Sequence, residues 1–376
     1  MTILGIETSC DETAVAVLKV NPPLYEASEG HLGQIEVLSN IVSSQVKLHA
    51  EFGGVVPNLA AREHVKNISH VFETALKKAS KTGNWKLETG NFPIDLIAVT
   101  HGPGLGPALL VGIAFAKTIA MTHNKPLIGV DHMRGHVYSN WLKPIGEIPN
   151  SKFQIPNKFP AMNLIVSGGH TELVLMSDYE KFELVGETMD DAVGEAFDKV
   201  ARLLDLGYPG GPAISKIAEN GDPNRFPLPR PMLHSKDFNF SFSGLKTAVL
   251  YLLRDLKEKG VEINDQTKAD IASSFQESAV DVLVQKTIHS AREYGVSTIM
   301  LSGGVSANTL LRNKLKIATE KEGLVFFCPP LVYTGDNAVM IALAGYFAHK
   351  KTGAVDPDAP VGTSWQTIEM QPNLGF

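Results

Sequence analysis

Apolar and polar positions along the chain sort first into short strand-like runs of recurring design. Leu4-Gly5-Ile6-Glu7-Thr8 and Thr13-Ala14-Val15-Ala16-Val17-Leu18 read as two strands joined by the polar turn Ser9 to Glu12. Asn163-Leu164-Ile165-Val166, the turn Ser167-Gly168-Gly169-His170, and Thr171-Glu172-Leu173-Val174-Leu175 repeat that unit about 160 residues later. Ile299-Met300-Leu301 opens similarly into Ser302-Gly303-Gly304-Val305-Ser306 but runs on as a helix from Asn308 to Ala318. The recurrence predicts an internally duplicated α/β architecture. Val65, Ile68, Phe72, Ala75 and Ala79 mark one apolar helical stripe, and Val193, Phe197, Val200 and Leu204 mark another. Leu96-Ile97-Ala98-Val99 and Leu127-Ile128-Gly129-Val130 have the unbroken hydrophobicity of buried strands.

Two stretches break the pattern. Lys143 to Pro160 holds four prolines and reads as a linker or surface insertion, and Asp222 to His234, rich in Pro and Arg, reads as an exposed loop. A length of 376 residues exceeds what one core usually supports, so two domains are expected. The boundary falls near 131–160. The predicted division is 1–131, completed by a returning helix 337–351, then 132–336, and a lightly ordered tail 352–376.

Composition changes this picture little. A 44% apolar, 20% charged chain is an ordinary globular one, and a net charge of −6 argues against nucleic-acid binding by overall charge while leaving room for a local basic face. Cys10 and Cys328 sit far apart in apolar settings, which suits a reducing compartment. No apolar run is expected to span a membrane, and no targeting segment precedes the first strand, so a cytoplasmic protein is expected.

The candidate chemistry starts at His132-Met133-Arg134-Gly135-His136. On a helix, residues four apart share a face, so both imidazoles could meet one ion. Twelve histidines would give about 0.4 such pairs by chance, so a further ligand is needed. Asp336, ahead of an apolar helix, offers either an N-cap or that third ligand. The Gly-rich turns at 167–171 and 302–306 could present N–H groups to phosphate, or could simply be tight turns. Asp11 could bind a metal-bridged phosphate, orient water, or accept an Asx-turn hydrogen bond. Asp198 could hold a ribose or be a solvated helix charge, and Pro209-Gly210-Gly211-Pro212 starts a helix that could approach a nucleoside. His101-Gly102-Pro103-Gly104-Leu105-Gly106-Pro107 permits close backbone approach without the dinucleotide-binding spacing.

These pieces occur in order with Gly5-Ile6-Glu7-Thr8-Ser9-Cys10-Asp11-Glu12-Thr13, His49-Ala50-Glu51-Phe52-Gly53-Gly54-Val55-Val56-Pro57, Phe240-Ser241-Phe242-Ser243-Gly244-Leu245-Lys246-Thr247 and Asp336-Asn337-Ala338. The whole set, over roughly residues 1 to 350, resembles the TsaD family of tRNA threonylcarbamoyltransferases in its bacterial and organellar branch. The resemblance implies a duplicated actin-like, sugar-kinase and Hsp70-type ATPase fold around a nucleotide cleft. It implies transfer of the threonylcarbamoyl group of threonylcarbamoyl-AMP to N6 of the adenosine at position 37, beside the anticodon. His132, His136 and Asp336 would bind a divalent metal, usually Fe2+, with Zn2+ an alternative. Ile165, Val166, Ser167, Gly168 and Gly169, with Asp198, Gly211 and Asn308, would line the adenylate site, which could also take ATP. Asp11 is the first candidate for a base, beside Glu12 in the turn facing the phosphate region.

Relatives act with a paralogous actin-like subunit (TsaB) and a P-loop ATPase (TsaE), and a homodimer is open. For tRNA the basic candidates are Lys47, His49, Arg62, His64 and Lys66, and Arg225, Arg230, His234 and Lys236, although such runs are commonly solvated faces. Gly106-Pro107-Ala108 departs from the Ser-rich continuation usual in the family. A zinc peptidase is disfavoured because Met133 occupies the place of its general base. A sugar kinase on the same fold would not need the His pair, and a non-catalytic actin-like partner would not need the three ligands together.

Overall fold

The computed structural model describes residues 1–21, 35–83, 92–145, 159–351 and 364–376. Most of the proline-rich stretch 143–160, and residues 352–363 of the expected tail, lie outside these.

The chain forms two compact units, Met1–His49 with Val55–Asn157 and Pro329–Phe376, and Ala50–Gly54 with Lys158–Cys328. Among the described residues, 132–145 and 329–336 cluster with the first unit. The reason is local. The helix His132–Tyr138 follows directly on the last strand of the first sheet, and Gly135 has Ile341 and Met340 of the helix Ala338–Lys351 against it.

In the first unit β1 (Thr2–Glu7), β2 (Glu12–Val20), β3 (Ile35–Ser44), β4 (Leu96–Gly102) and β5 (Leu127–Asp131) make one sheet in the order β3-β2-β1-β4-β5. The β1–β2 and β2–β3 pairs are antiparallel; β1–β4 and β4–β5 are parallel. In the second unit β6 (Ala161–Val166), β7 (Thr171–Asp178), β8 (Lys181–Glu187), β9 (Thr298–Ser302) and β10 (Val325–Phe327) are ordered β8-β7-β6-β9-β10 with the same alternation of directions. The two sheets share one topology.

Helices cover the sheets, and the first sheet is buried on both faces. In the first core Leu4, Ile6, Val15 and Val17 meet Ile68, Val71 and Ala75 of the helix Pro57–Thr82 and Ile113 and Ala116 of the helix Gly106–His123. The expected stripe is shifted: Val65 is 63% exposed, and Val71 takes its place on the buried face. In the second core Leu164, Val166 and Leu173 meet Phe197, Val200, Phe275 and Leu283. Gly5 has a specific reason to be glycine. A Cβ there would strike the Ala338 carbonyl, so its absence lets the helix Ala338–Lys351 lie directly on β1 and fixes Asp336 just ahead of it.

Two expectations are corrected. The helix Gly106–His123 is 18 residues with mean hydropathy 1.2, long and apolar enough by composition to cross a membrane, yet Ala108, Leu109, Ile113 and Ala116 are buried in the first unit. The described end of the chain is docked as well. Trp365 and Ile368 pack on the first core, Gln371 N–H donates to the His101 carbonyl at 2.7 Å, and Gly104 N–H donates to the Pro372 carbonyl at 3.1 Å. The close approach that Gly102 permits is thus to the chain's own Gln371 carbonyl.

Candidate functional site

The helix carrying the His pair starts where it does because Asp131 ends β5 in an extended conformation and its carboxylate accepts from Met133 N–H (2.7 Å) and Arg134 N–H (3.2 Å). His132 and His136 follow on one face, both buried. At the helix Ala338–Lys351 the two readings of Asp336 separate. Asn337 Oδ1 accepts from Met340 N–H at 3.1 Å and supplies the cap, which leaves Asp336 free to face the imidazoles. Asp336 Oδ1 lies 3.4 Å from His132 Nε2 and 3.2 Å from His136 Nε2.

Ligand atoms of these three residues all fall within 4.8 Å of one another. Bonds of about 2.0–2.2 Å at tetrahedral or octahedral angles put neighbouring donors about 3.0–3.5 Å apart, which the two imidazole–carboxylate separations match. His136 Nδ1 is buried and lacks a hydrogen-bond partner among the described residues. An orphaned buried nitrogen is costly unless something occupies its lone pair. The residues present fit a divalent cation.

Electrostatics agree. Burial pushes the Glu12 carboxyl well above its ordinary value, and the charges of Asp336 and Asp11 push it further. Asp336 itself is held far below the usual carboxylate range: burial opposes this, but the charge and hydrogen bonds of His132 and His136 outweigh it. His132 is raised well above an ordinary imidazole, since Glu7 and Asp336 overcome its desolvation. Glu7, Asp11, Glu12 and Asp336 thus crowd acids around the His pair, so that Glu12 is driven to hold its proton, a crowding that a cation would relieve.

Asp11 is 7% exposed, and its Oδ2 has no hydrogen-bond partner among the described residues. Sequence reasoning passed over Glu7, Ser9 and Thr100. Glu7 is completely buried, accepting from Ser9 N–H (2.5 Å) and Thr100 Oγ1 (2.6 Å) and lying 2.9 Å from His132 Nδ1. A lone carboxylate at the end of an otherwise apolar strand was the available signal.

In the second unit the β6–β7 turn carries no carboxylate. Ile165 and Val166 are buried in β6; Gly168 and Gly169 are exposed with open space where a Cβ would stand. Ser167 Oγ accepts from Gly169 N–H (3.3 Å) and His170 N–H (3.0 Å), which shapes the turn. Asp198 is not a solvated helix charge: its Oδ1 accepts from Gly210 N–H at 2.7 Å at the start of the helix Gly210–Ala218, and burial raises its carboxyl. It borders a cavity of about 280 Å³ with Arg202 and Tyr208. Asn308 caps the helix Thr309–Lys321 through Leu311 N–H and donates to Ser215 Oγ (3.1 Å) and Gln276 Oε1 (2.8 Å), holding the Gly211 helix in place. Gly211 too has open space at its Cβ position.

The basic candidates thin out. His49 and His64 are fully buried, joined through Gln45 (3.1 and 3.3 Å), with His64 also on Thr13 Oγ1 (2.8 Å), so neither faces a nucleic acid. Lys66 pairs with Glu63, Arg230 with Asp281 at 2.7 Å and Arg225 with Asp270 at 4.0 Å. Lys47, Arg62, His234 and Lys236 remain exposed.

Two units of one topology, each opening on an antiparallel hairpin whose turn carries the polar residues, define an α/β protein of the duplicated actin-like class. Solved structures of HypF share the fold. Full-length HypF in its phosphate- and nucleotide-bound form aligns with TM-score 0.54 at 13% identity over 94% of this chain, and T. kodakarensis HypF with 0.56 at 16% over 94%. The chain spans about half of each, 47% and 48%. The family model for TsaD, tRNA N6-adenosine threonylcarbamoyltransferase, matches residues 36–343. Relatives of that name are 48% identical in Thermosipho africanus (100% of this chain, 99% of the relative) and 47% in Bacillus subtilis (98% of each). This chain belongs to the TsaD family.

Proposed function

We propose that the chain transfers the threonylcarbamoyl group of threonylcarbamoyl-AMP to N6 of adenosine 37 in tRNAs reading ANN codons, forming N6-threonylcarbamoyladenosine. Family membership supports the activity, and one observation carries the site: His132, His136 and Asp336 converge although 200 residues separate the pair from the carboxylate (336 − 136).

The donor is a mixed carbamic–phosphoric anhydride, already activated, so a covalent protein nucleophile is not needed. Burial raises both Cys10 and Cys328, which disfavours their thiolates. N6 of adenine attacks the carbamoyl carbon, the bond to the phosphate oxygen breaks, and AMP leaves. The Gly168 N–H, in the turn that Ser167 and Gly169 shape, holds the leaving phosphate, while Asp198, Gly211 and Asn308 hold the nucleoside. Asp11, with its buried unpartnered Oδ2, takes the proton that N6 releases. A bound Fe2+, with Zn2+ accepted by the same donors, supplies Lewis acidity toward the carbamoyl and phosphate oxygens. ATP is a second occupant for the nucleotide residues. A paralogous actin-like subunit and a P-loop ATPase are the proposed partners, and a tRNA substrate makes the cytoplasm the compartment.

The test is threonylcarbamoyl transfer to tRNA, read by nucleoside mass spectrometry alongside metal content, for the wild type, His132→Ala and His136→Ala. Loss of one ligand removes several kcal/mol of charge stabilisation, roughly a thousandfold in rate, together with the metal. A variant that lost its metal but kept full transfer would overturn the metal's role. A wild type unable to modify tRNA with all partners present would overturn the activity.

A further inference from the structure

We propose that Glu7 is a positioning residue for the metal: it holds His132 in the tautomer and ring orientation that turn Nε2 toward the cation. This rests on the metal reading above and adds a residue to it.

Glu7 closes β1, the central strand of its sheet, and its side chain is completely buried. A buried carboxylate survives only if its oxygens are met by donors. Three come from three separate segments: Ser9 N–H of the β1–β2 turn on Oε1 at 2.5 Å, Thr100 Oγ1 of β4 on Oε2 at 2.6 Å, and His132 Nδ1 on Oε2 at 2.9 Å. A carboxylate has no proton to give, so the imidazole donates from Nδ1, and Nε2 is the nitrogen left to meet a cation that displaces its proton. That nitrogen is on the side where Asp336 Oδ1 lies 3.4 Å away. Ser9 Oγ, 3.2 Å from the same Nδ1, closes the ring plane from the turn.

The two imidazoles differ in this respect. His136 Nδ1 is buried with no partner among the described residues, so nothing there selects its tautomer. The backing is thus concentrated on one ligand, and through Thr100 and Ser9 it is tied to β4 and to the β1–β2 turn. A carboxylate behind a metal-bound imidazole fixes its orientation and strengthens it as a donor, and loss of such partners typically weakens metal affinity about 10–100-fold.

The experiment titrates the metal-free protein with Co2+ as a spectroscopic probe at one fixed pH, for the wild type, Glu7→Gln, Thr100→Val and His132→Ala. Glu7→Gln keeps size and an acceptor oxygen but removes the charge; its Co2+ affinity is expected to fall about 10–100-fold in protein whose circular dichroism is that of the wild type. Thr100→Val leaves Glu7 in place with one donor fewer and is expected to lose affinity several-fold. A merely structural Glu7 would lower the unfolding temperature and leave the affinity of folded protein alone, and that result overturns the proposal. If Glu7→Gln does not fold, Thr100→Val decides, and unchanged affinity there overturns it equally. His132→Ala separates the two readings. If it binds Co2+ as the wild type does, the metal reading itself fails; if only it loses the ion while Glu7→Gln and Thr100→Val keep it, the positioning role alone fails.

Discussion

The β1–β2 and β6–β7 turns occupy the same place in two sheets of one topology, yet they carry opposite chemistry. The first holds Ser9, Asp11 and Glu12 behind Glu7, with acids packed against imidazoles and against one another. The second holds Ser167, Gly168 and Gly169, with no charge and open space above the glycines. Several acids elsewhere in the second unit are met by cations: Lys314 Nζ sits 2.8 Å from Asp281, which also pairs with Arg230, and Lys199 and Lys246 pair with Asp191. One unit gathers its acids around an imidazole pair, the donor set of the proposed metal site. Its counterpart has an uncharged, open turn, the proposed place of the phosphate. Duplication supplied the frame, and divergence at one turn supplied the division of labour.

The sharpest way to break that comparison is at Asp336 and Asn337, adjacent residues with separate jobs. Asp336→Asn is expected to lose the metal and about a thousandfold in transfer, and to lose stability as well, because His132 and His136 are left without the carboxylate they are paired with. Asn337→Ala is expected to keep the metal and to cost about 1 kcal/mol of stability through the lost cap. Metal content and urea denaturation of both variants decide, and equal effects on metal would sink the distinction. The second unit's turns are tested by glycine. Gly303 has φ +86° and the Val166 carbonyl where a Cβ would go, so Gly303→Ala should destabilise by about 1–3 kcal/mol. Gly168 has room, so Gly168→Ala should change stability by less than about 0.5 kcal/mol while weakening nucleotide binding in calorimetry. Unchanged nucleotide affinity would take the turn out of the phosphate site.

The smallest effect concerns Asp281. Burial would raise its carboxyl, but hydrogen bonds and charges from Lys314 and Arg230 hold it below the ordinary 3.8. A depressed carboxylate stabilises fully above its unfolded value and loses that contribution as pH falls through the folded one. Asp281→Asn should therefore cost a few tenths to about 1 kcal/mol near pH 7, shrinking toward zero as pH falls below the ordinary carboxylate range. A gap that is constant with pH in hydrogen exchange of the helix Asp265–Glu293 would show that the pair contributes nothing through charge.

Much of this was legible along the chain because it depends on local periodicity. Alternation and unbroken apolar runs marked the strands, the recurrence of strand–turn–strand marked the duplication, and the spacing of His132 and His136 marked one helical face. Whatever depends on which segments meet was not. Only packing of the helix Ala338–Lys351 on Gly5 decided that Asp336 faces the imidazoles and Asn337 caps the helix, since either residue type satisfies an N-cap by sequence. Burial alone took His49 and His64 from the surface, placed Val71 rather than Val65 in the core, and docked Trp365 on the first unit. The sequence by itself determined the elements, the family and the donor types. Tertiary structure decided which donors share a point in space, because hydrophobic burial pulls whole faces together without regard to sequence separation, and the polar atoms carried with them must then find partners where they land.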